Sequence, residues 1–268
     1  MHVVVAGASG GLGRAIAAHS ERAGHTVRGL SRADFVDDDA LARAVTGGDA
    51  IVSALGAPVS LTWGPRAGYM ETDVPLHARL VAAAKRADVR RFVYVSVFGE
   101  GAVERTVYVR AHRVVEEQLR ASGLASVVVR PTGFMSAFLP FLDMAARGLA
   151  FLPGDGRAES NPIATDDLAQ VCVDGLAGDP RTVPCGGPLV HSRRGVIEEA
   201  FSVVGKRPRI LSTPLAMLRL NALLLGPVNP RLRDLLRFVC AISSQDLVAP
   251  KLGTTTMREV FERARHAQ

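Results

Sequence analysis

Cysteine, tryptophan and long apolar runs are all scarce in this chain, and each scarcity excludes something. Three cysteines are spread over 268 residues, at Cys172, Cys185 and Cys240. They are odd in number and show no C-x-x-C spacing, so neither a disulfide framework nor a thiolate metal site is expected. Buried thiols in a reducing compartment are the expectation instead. No stretch reaches the ~18–20 uninterrupted apolar residues that a membrane-crossing helix needs. The nearest candidate, residues 215–225, is interrupted by Arg219 and Asn221 and ended by Gly226-Pro227. It reads as a buried or partner-facing helix. The first residues, MHVVVAGASG, lack the basic start of a secretion signal and lead directly into a glycine loop, so a cytoplasmic protein is expected. Internal repeats and low-complexity tracts are also missing.

Charge excludes one further class. The net charge is +6 and aromatic residues make up only 5% of the chain. The arginines are scattered rather than clustered, so no nucleic-acid partner is expected. Solvated helix faces account for most of the excess, and part of it is available to an anionic cofactor.

Apolar residues make up 48% of the chain, enough to bury a sizeable core. Strand-like and helix-like segments alternate along the first half. Apolar β runs fall at residues 2–6, 26–30, 50–55, 91–96 and 126–130, with a very short one at 34–36. Helical spacing covers residues 11–23, 39–45, 72–87 and 107–122. This alternation predicts a doubly wound parallel sheet of Rossmann type, with helices on both faces and right-handed crossovers. Beyond Pro131, helical patterns at 137–147, 166–176 (with Thr165 or Asp166 as N-cap), 195–204 and 231–242 dominate. They predict a small, mostly helical C-terminal part for a substrate or partner. We divide the chain into a nucleotide-binding core, 1–150, and a C-terminal part, 151–268, interleaved with it.

The strongest motif is GASGGLG, residues 7–13, placed between a strand and a helix. Gly7 permits the tight turn, Gly10 lets the backbone approach a pyrophosphate, and Gly13 lets helix and strand pack closely. The helix N-terminus, through Gly11 and Leu12, presents N–H groups and partial positive charge to phosphate, and Ser9 is a further phosphate contact. At the end of the second strand, where an NAD enzyme commonly places a carboxylate, stand Leu30, Ser31 and Arg32. Arg32 offers a planar cationic fork to a 2′-phosphate, assisted by Arg28 or Arg14, which favours NADP over NAD, although NAD remains possible. The bland alternative for Arg32 is an ordinary solvated arginine. Asp34 stands close enough to approach the adenine or ribose.

These residues resemble the short-chain dehydrogenase/reductase superfamily, in its atypical NmrA-like, NAD(P)-binding branch, over nearly the whole chain. GASGGLG is similar to the branch's G-x-x-G-x-x-G. ADFVDDDALARAV resembles its third-strand signature, which implies that Asp34 and Phe35 flank the adenine. VSALGAP, residues 52–58, resembles the loop along the adenosine and implies contacts from Ala54, Leu55 and Gly56. RFVYVSVFG resembles the strand that ends in the superfamily's active-site serine, here Ser96. RPTGF resembles the segment along the nicotinamide, which implies Pro131, Thr132, Gly133 and Phe134. NPIATDDLA, residues 161–169, is also typical of the branch.

The superfamily's chemistry uses Ser, Tyr and Lys, the last two as Y-x-x-x-K. Tyr108 lies twelve residues after Ser96, and His112 stands where the lysine would be. Positions i and i+4 share a helix face, so Tyr108 and His112 are expected to face one cleft, with Glu116 orienting the imidazole and raising its pKa. A charged His112 would replace the lysine's charge, whereas a neutral one would only relay a proton. The alternatives are a half-buried Tyr108 capping the sheet edge and a surface His112 paired with Glu116. His77 and His191 are expected to be structural. Trp63 and Tyr69 either shape a substrate cleft or cover the core. Two functions remain open: an NADP-dependent oxidoreductase passing hydride to a small carbonyl or conjugated alkene, and a non-catalytic dinucleotide-sensing regulator or assembly protein.

Overall fold

A computed structural model describes residues 1–57 and 67–267. Trp63 and Pro58 lie outside them. In chain order the elements begin with β1 (His2–Ala6), α1 (Gly11–Arg22), β2 (Thr26–Leu30), α2 (Asp38–Val45), β3 (Ala50–Ser53), α3 (Tyr69–Arg86), β4 (Arg91–Val95), α4 (Gly101–Glu104), α5 (Val107–Ser122) and β5 (Ala125–Pro131). They continue with α6 (Pro140–Arg147), β6 (Ala150–Pro153), β7 (Glu159–Ser160), α7 (Thr165–Asp174), β8 (Arg181–Cys185), β9 (His191–Ser192), α8 (Arg193–Val204), β10 (Ile210–Thr213), α9 (Leu215–Leu225), α10 (Pro230–Ile242) and α11 (Met257–His266).

Six strands form one parallel sheet in the order β2-β1-β3-β4-β5-β8. The strands at its centre are apolar on both faces, as a sheet covered twice requires. Phe92 and Tyr94 face a core completed by α2, α3 and α5, with Leu41, Leu80, Val115 and Leu119. Val93 and Val95 face the opposite core, with Ile16 of α1 and Leu168, Ala169 and Cys172 of α7. This is the doubly wound Rossmann-type α/β architecture. A third core joins α6, α8 and α11 around Phe201 and Phe261. Because β8 pairs with β5, the later half of the chain supplies a strand to the sheet as well as a layer beside it.

Three expectations need correction. The short strand at 34–36 is a 3₁₀ turn, Arg32–Phe35. Asp34 accepts from the Ser31 N–H (2.7 Å) and hydroxyl (2.8 Å), a capping box that coils the chain just where a strand would begin. The helix expected at 137–147 is split into a 3₁₀ turn, Met135–Phe138, and α6, because Pro140 has no N–H to continue a helix and suits a first helical position. The N-cap of α7 is Ala164 rather than Thr165 or Asp166, with no side-chain cap. The first-turn carboxylate of Asp167 instead accepts the N–H groups of Thr254 (2.9 Å) and Thr255 (2.8 Å), fastening the C-terminal segment to α7. All three cysteines are buried and free.

Candidate cofactor and active site

All six strands of the main sheet are parallel, so the segments after β1, β2, β3, β4 and β5 emerge at one edge. This is the edge at which open α/β sheets place ligands. The edge collects Gly7 to Gly13, Ser31 to Phe35, Ala54 to Gly56, Ser96, and Pro131 to Phe134.

The glycine loop is built so tightly that side chains would break it. Gly7 has φ +87°, and a Cβ there would meet the Ala54 carbonyl oxygen at 2.9 Å. A Cβ on Gly13 would lie 2.1 Å from the Gly7 oxygen and 2.6 Å from its carbon. Gly10 donates its N–H to the Gly7 carbonyl (2.9 Å), and its own Cβ would touch only that oxygen, at 3.3 Å. Nothing stands within 4 Å of a Cβ on Gly11. The first helical bond of α1 is from Arg14 to Gly10, so the N–H groups of Gly11, Leu12 and Gly13 have no acceptor among the described residues. They are left for an anion. Ser9 and Arg14 are exposed beside them, the Arg14 guanidinium resting on the Ser9 carbonyl. Sequence reasoning passed over Gly29 of β2, whose Cβ would meet that of Ala8 at 2.7 Å. A lone glycine inside a strand was its signal.

At the end of β2 the Asp34 carboxylate is turned back on Ser31, whose hydrogen bonds hold its pKa below the usual range. Arg32 is exposed and forms no ion pair among the described residues. Phe35 packs against the core of α2 and α3. The loop after β3 is pinned by a buried carboxylate: Asp73 of α3 accepts the Ala57 N–H (2.9 Å), and burial raises its pKa.

The segment after β5 is anchored by a residue whose role was not read from the sequence. Asn161, fully buried, donates to the carbonyls of Ala249 (2.8 Å) and Gly187 (3.2 Å) and accepts from the Ala249 N–H (3.0 Å). The Thr132 hydroxyl donates to the Asn161 carbonyl (2.6 Å), and Ile163 donates to Gly133 (2.8 Å). Gly186 and Gly187 are glycines because a Cβ on either would lie 2.2 Å from Asn161 or from the Pro162 carbonyl.

Tyr108 and His112 pack against each other, whereas Ser96 belongs to a separate network, and no hydrogen bond links the three among the described residues. Ser96 is buried, and its hydroxyl donates to Glu116 (2.5 Å). Glu116 therefore does not orient His112. It accepts from Ser96, Arg113 (2.7 Å) and Arg130, the last through two guanidinium nitrogens. The imidazole of His112 sits on the other side, its Nδ1 2.7 Å from the Tyr94 hydroxyl. Burial, with help from His77 and Arg113, pushes its pKa down to about 3, the reverse of the expected rise. The neutral form of His112 is thus the resting one.

Tyr108 is half-buried. Its ring packs edge-on against Tyr69 (4.8 Å), Phe238 of α10 (4.8 Å) and His112 (5.0 Å). Burial raises its pKa, as does that of Tyr69, pushed up to about 12. No hydrogen bond of the Tyr108 hydroxyl is made with the described residues. Tyr69 is fully buried and carries Arg231 over its ring (5.8 Å), so it covers the core rather than lining an open cleft.

His77 is structural, as expected. Its Nδ1 lies 2.8 Å from the Asp73 carbonyl and its Nε2 3.1 Å from the Ser53 hydroxyl. Burial lowers its pKa to about 4. A histidine with a depressed folded pKa gives stability that is complete above its unfolded pKa, near 6.5, and is lost as pH falls toward the folded value. Lowering the pH from about 7.5 to about 5 should therefore remove about 2 kcal/mol of stability for each of His77 and His112. Denaturant melts at the two pH values check this, and His77→Gln should shrink the difference.

Comparison with known proteins fits this geometry. The NAD(P)H-binding family matches residues 30–179, more than half of the sequence. The chain belongs to that family. Its glycine loop and parallel sheet agree with the resemblance to atypical short-chain dehydrogenases/reductases. Among curated relatives, a photosystem II assembly factor, Ycf39, of Synechocystis is 25% identical over 82% of this chain and 72% of its own length. Among solved structures, a Citrobacter triphenylmethane reductase complexed with NADP(H) superposes with a TM-score of 0.73 at 16% identity, covering 98% and 100% of the two chains. An Escherichia coli NADPH-dependent quinone oxidoreductase complexed with NADPH gives 0.69 at 18% identity, covering 98% and 99%. Among the described residues no helix is long and apolar enough to cross a membrane, and no group of side chains could hold a metal ion.

Proposed function

We propose that this chain is an NADPH-dependent reductase of the NmrA-like kind, acting on a small carbonyl or conjugated alkene. The carrying observation is the end of β2. The first carboxylate after the strand, Asp34, is committed to Ser31, while Arg32 stands free to meet a 2′-phosphate. The pyrophosphate would lie over Gly7 to Gly13, on the unpaired N–H groups of α1. Ala54 to Gly56 would border the adenosine, and Pro131 to Phe134 the nicotinamide. The bound cofactor supplies hydride. In this reading residues 1–150 hold the cofactor, and residues 151–268 complete the substrate side.

The protein's own part is to position the acceptor and give it a proton. Tyr108 is the proposed donor, and its raised pKa keeps it protonated at neutral pH. Neutral His112, bonded to Tyr94, holds the ring face of Tyr108 rather than supplying charge. Ser96 acts through the Glu116, Arg113 and Arg130 network, which fixes the ends of β4 and β5. Calorimetry should find NADPH bound more tightly than NADH. Arg32→Ala should narrow the gap by about ten- to a hundredfold, the size of a charge-assisted contact. A preference for NADH in the unaltered protein would defeat the assignment.

A second reading has its own support. The candidate catalytic groups rest in closed packing, with Ser96 tied to a carboxylate and Tyr108 under Phe238, and the curated relative is named as an assembly factor. On that reading the cofactor is bound without turnover. NADPH oxidation measured against quinones, aldehydes and enones separates the two: consumption with any acceptor supports the reductase. Tight NADPH binding with none consumed supports the assembly role.

A further inference from the structure

Helix α9 is apolar on both of its faces. Leu218, Ala222 and Leu225 pack against Leu232 and Leu236 of α10. On the other side Met217, Leu220, Leu223 and Leu224 face solvent, the last two 67% and 64% exposed, and Val228 follows them at 66%. Arg219 and Asn221 lie between these two apolar faces, and a helix with a second apolar face is one whose outer side is covered by something in use. The strand that feeds it, β10, adds exposed Leu211, paired in register with exposed Phe151 of β6.

Charge says what the cover is. Residues 200–233 contain no aspartate or glutamate. They carry Lys206, Arg207, Arg209, Arg219, Arg231 and Arg233, and the sequence KRPR, residues 206–209, is exposed just ahead of β10. Arg231 and Arg233 are engaged inside the fold, with Ala67 and Thr72 and with Asp234. The side chains of Arg207 and Arg209 make no hydrogen bond or ion pair among the described residues, the Arg209 carbonyl alone accepting from the Ala150 N–H. An apolar helix face flanked by cations in an acid-free stretch is complementary to a layer of hydrocarbon under negative headgroups. At about 1.5 Å per residue, α9 is far too short to span a bilayer and can only lie in its surface.

We infer that the face formed by Met217, Leu220, Leu223, Leu224 and Val228 docks the protein onto an anionic lipid surface, with Arg207 and Arg209 on the headgroups. This inference stands apart from the reductase reading, since α9 contributes nothing to the cofactor loop.

Flotation of the full chain with vesicles tests it. The protein should float with phosphatidylcholine vesicles containing phosphatidylglycerol and not with phosphatidylcholine alone. Arg207→Gln and Arg209→Gln should each lower partition about fivefold, and added salt should weaken binding in the same sense. The double variant Leu223→Ser, Leu224→Ser should stay at the bottom of the gradient while keeping its melting temperature and NADPH affinity, because both side chains are exposed in the fold. Three results would overturn the inference: no flotation, equal flotation with neutral vesicles, or unchanged flotation of the leucine variant. Light scattering supplies a fourth. A parent dimer that the leucine variant turns into a monomer would show that a second copy covers α9.

Discussion

Gly13→Ala is expected to disable the protein more thoroughly than any other single methyl group added to the glycine loop. The new Cβ would sit 2.1 Å from the Gly7 oxygen, 2.6 Å from the Gly7 carbon and 2.8 Å from the Ala8 Cα. All three are backbone atoms, so no side chain can swing aside. Either α1 leaves β1 or the turn that holds Gly7 opens. Forced overpacking of this kind costs about 1–3 kcal/mol and occasionally more, and here it also displaces the N–H groups proposed to hold the cofactor's phosphates. Thermal unfolding should show a large drop in melting temperature, and calorimetry a loss of NADPH binding. Gly11→Ala is the control. Its Cβ meets nothing within 4 Å, so stability should hold or rise by about 0.4–1 kcal/mol. Gly10→Val isolates the ligand's share. Its Cβ touches only the Gly7 oxygen at 3.3 Å, so a folded variant that no longer binds NADPH would place the pyrophosphate over that atom. Equal melting of the Gly13 and Gly11 variants would contradict the packing argument, and a folded Gly10→Val with full affinity would contradict the cofactor site.

Tyr108→Phe should lower turnover about 10²–10⁴-fold, the usual contribution of a positioned general acid, with little change in stability. The ring keeps its contacts with Tyr69, Phe238 and His112, and the hydroxyl has no protein partner among the described residues to lose. The environment argues for a proton donor rather than a phenolate base. Burial raises the tyrosine's pKa, and the histidine in the lysine's place is neutral, so no adjacent cation lowers it. Activity should therefore lack the fall with rising pH that a mechanism needing a charged histidine would show near neutrality. It should persist upward until the tyrosine itself ionises. A loss of rate centred near pH 6.5 would show instead that His112 is charged in the working enzyme. Full activity of Tyr108→Phe would move the chemistry to the cofactor and loop residues alone.

What could be read from the sequence depended on how local the cause was. The glycines of residues 7–13 carry their reason in their spacing, and α5, Val107–Ser122, follows from an apolar period that needs no distant partner. The coil at Arg32–Phe35 was hidden because Asp34 reads equally as a ligand carboxylate and as the closing half of a capping box. In the fold its oxygen lies on Ser31. Glu116 was misassigned for a related reason. One helical turn brings it near both His112 and Arg113, and the choice was made by Arg130, which reaches it from another element. The raised pKa of Tyr108 comes from burial beside Tyr69 and Phe238, and the lowered one of His112 from burial with His77 nearby, partners separated from them by long stretches of sequence. Motifs thus named the neighbourhood of the site, and tertiary burial set the protonation states within it.

Asn161 bears on how the molecule assembles as well as on how it stands. Its amide joins Gly187 to Ala249, a partner 88 positions along the chain, while Thr132 bonds to its carbonyl. A closure spanning so much chain is entropically costly until the flanking elements have already met. The sheet from β1 to β5 can form without it, whereas β8 and the segment around Ala249 must arrive before the amide has anything to bond. Asn161→Ala should therefore leave the refolding rate nearly unchanged and appear almost entirely as faster unfolding, as expected for contacts made after the barrier. The same residue that steadies the loop after β5 would then act as the latch on the native state's lifetime.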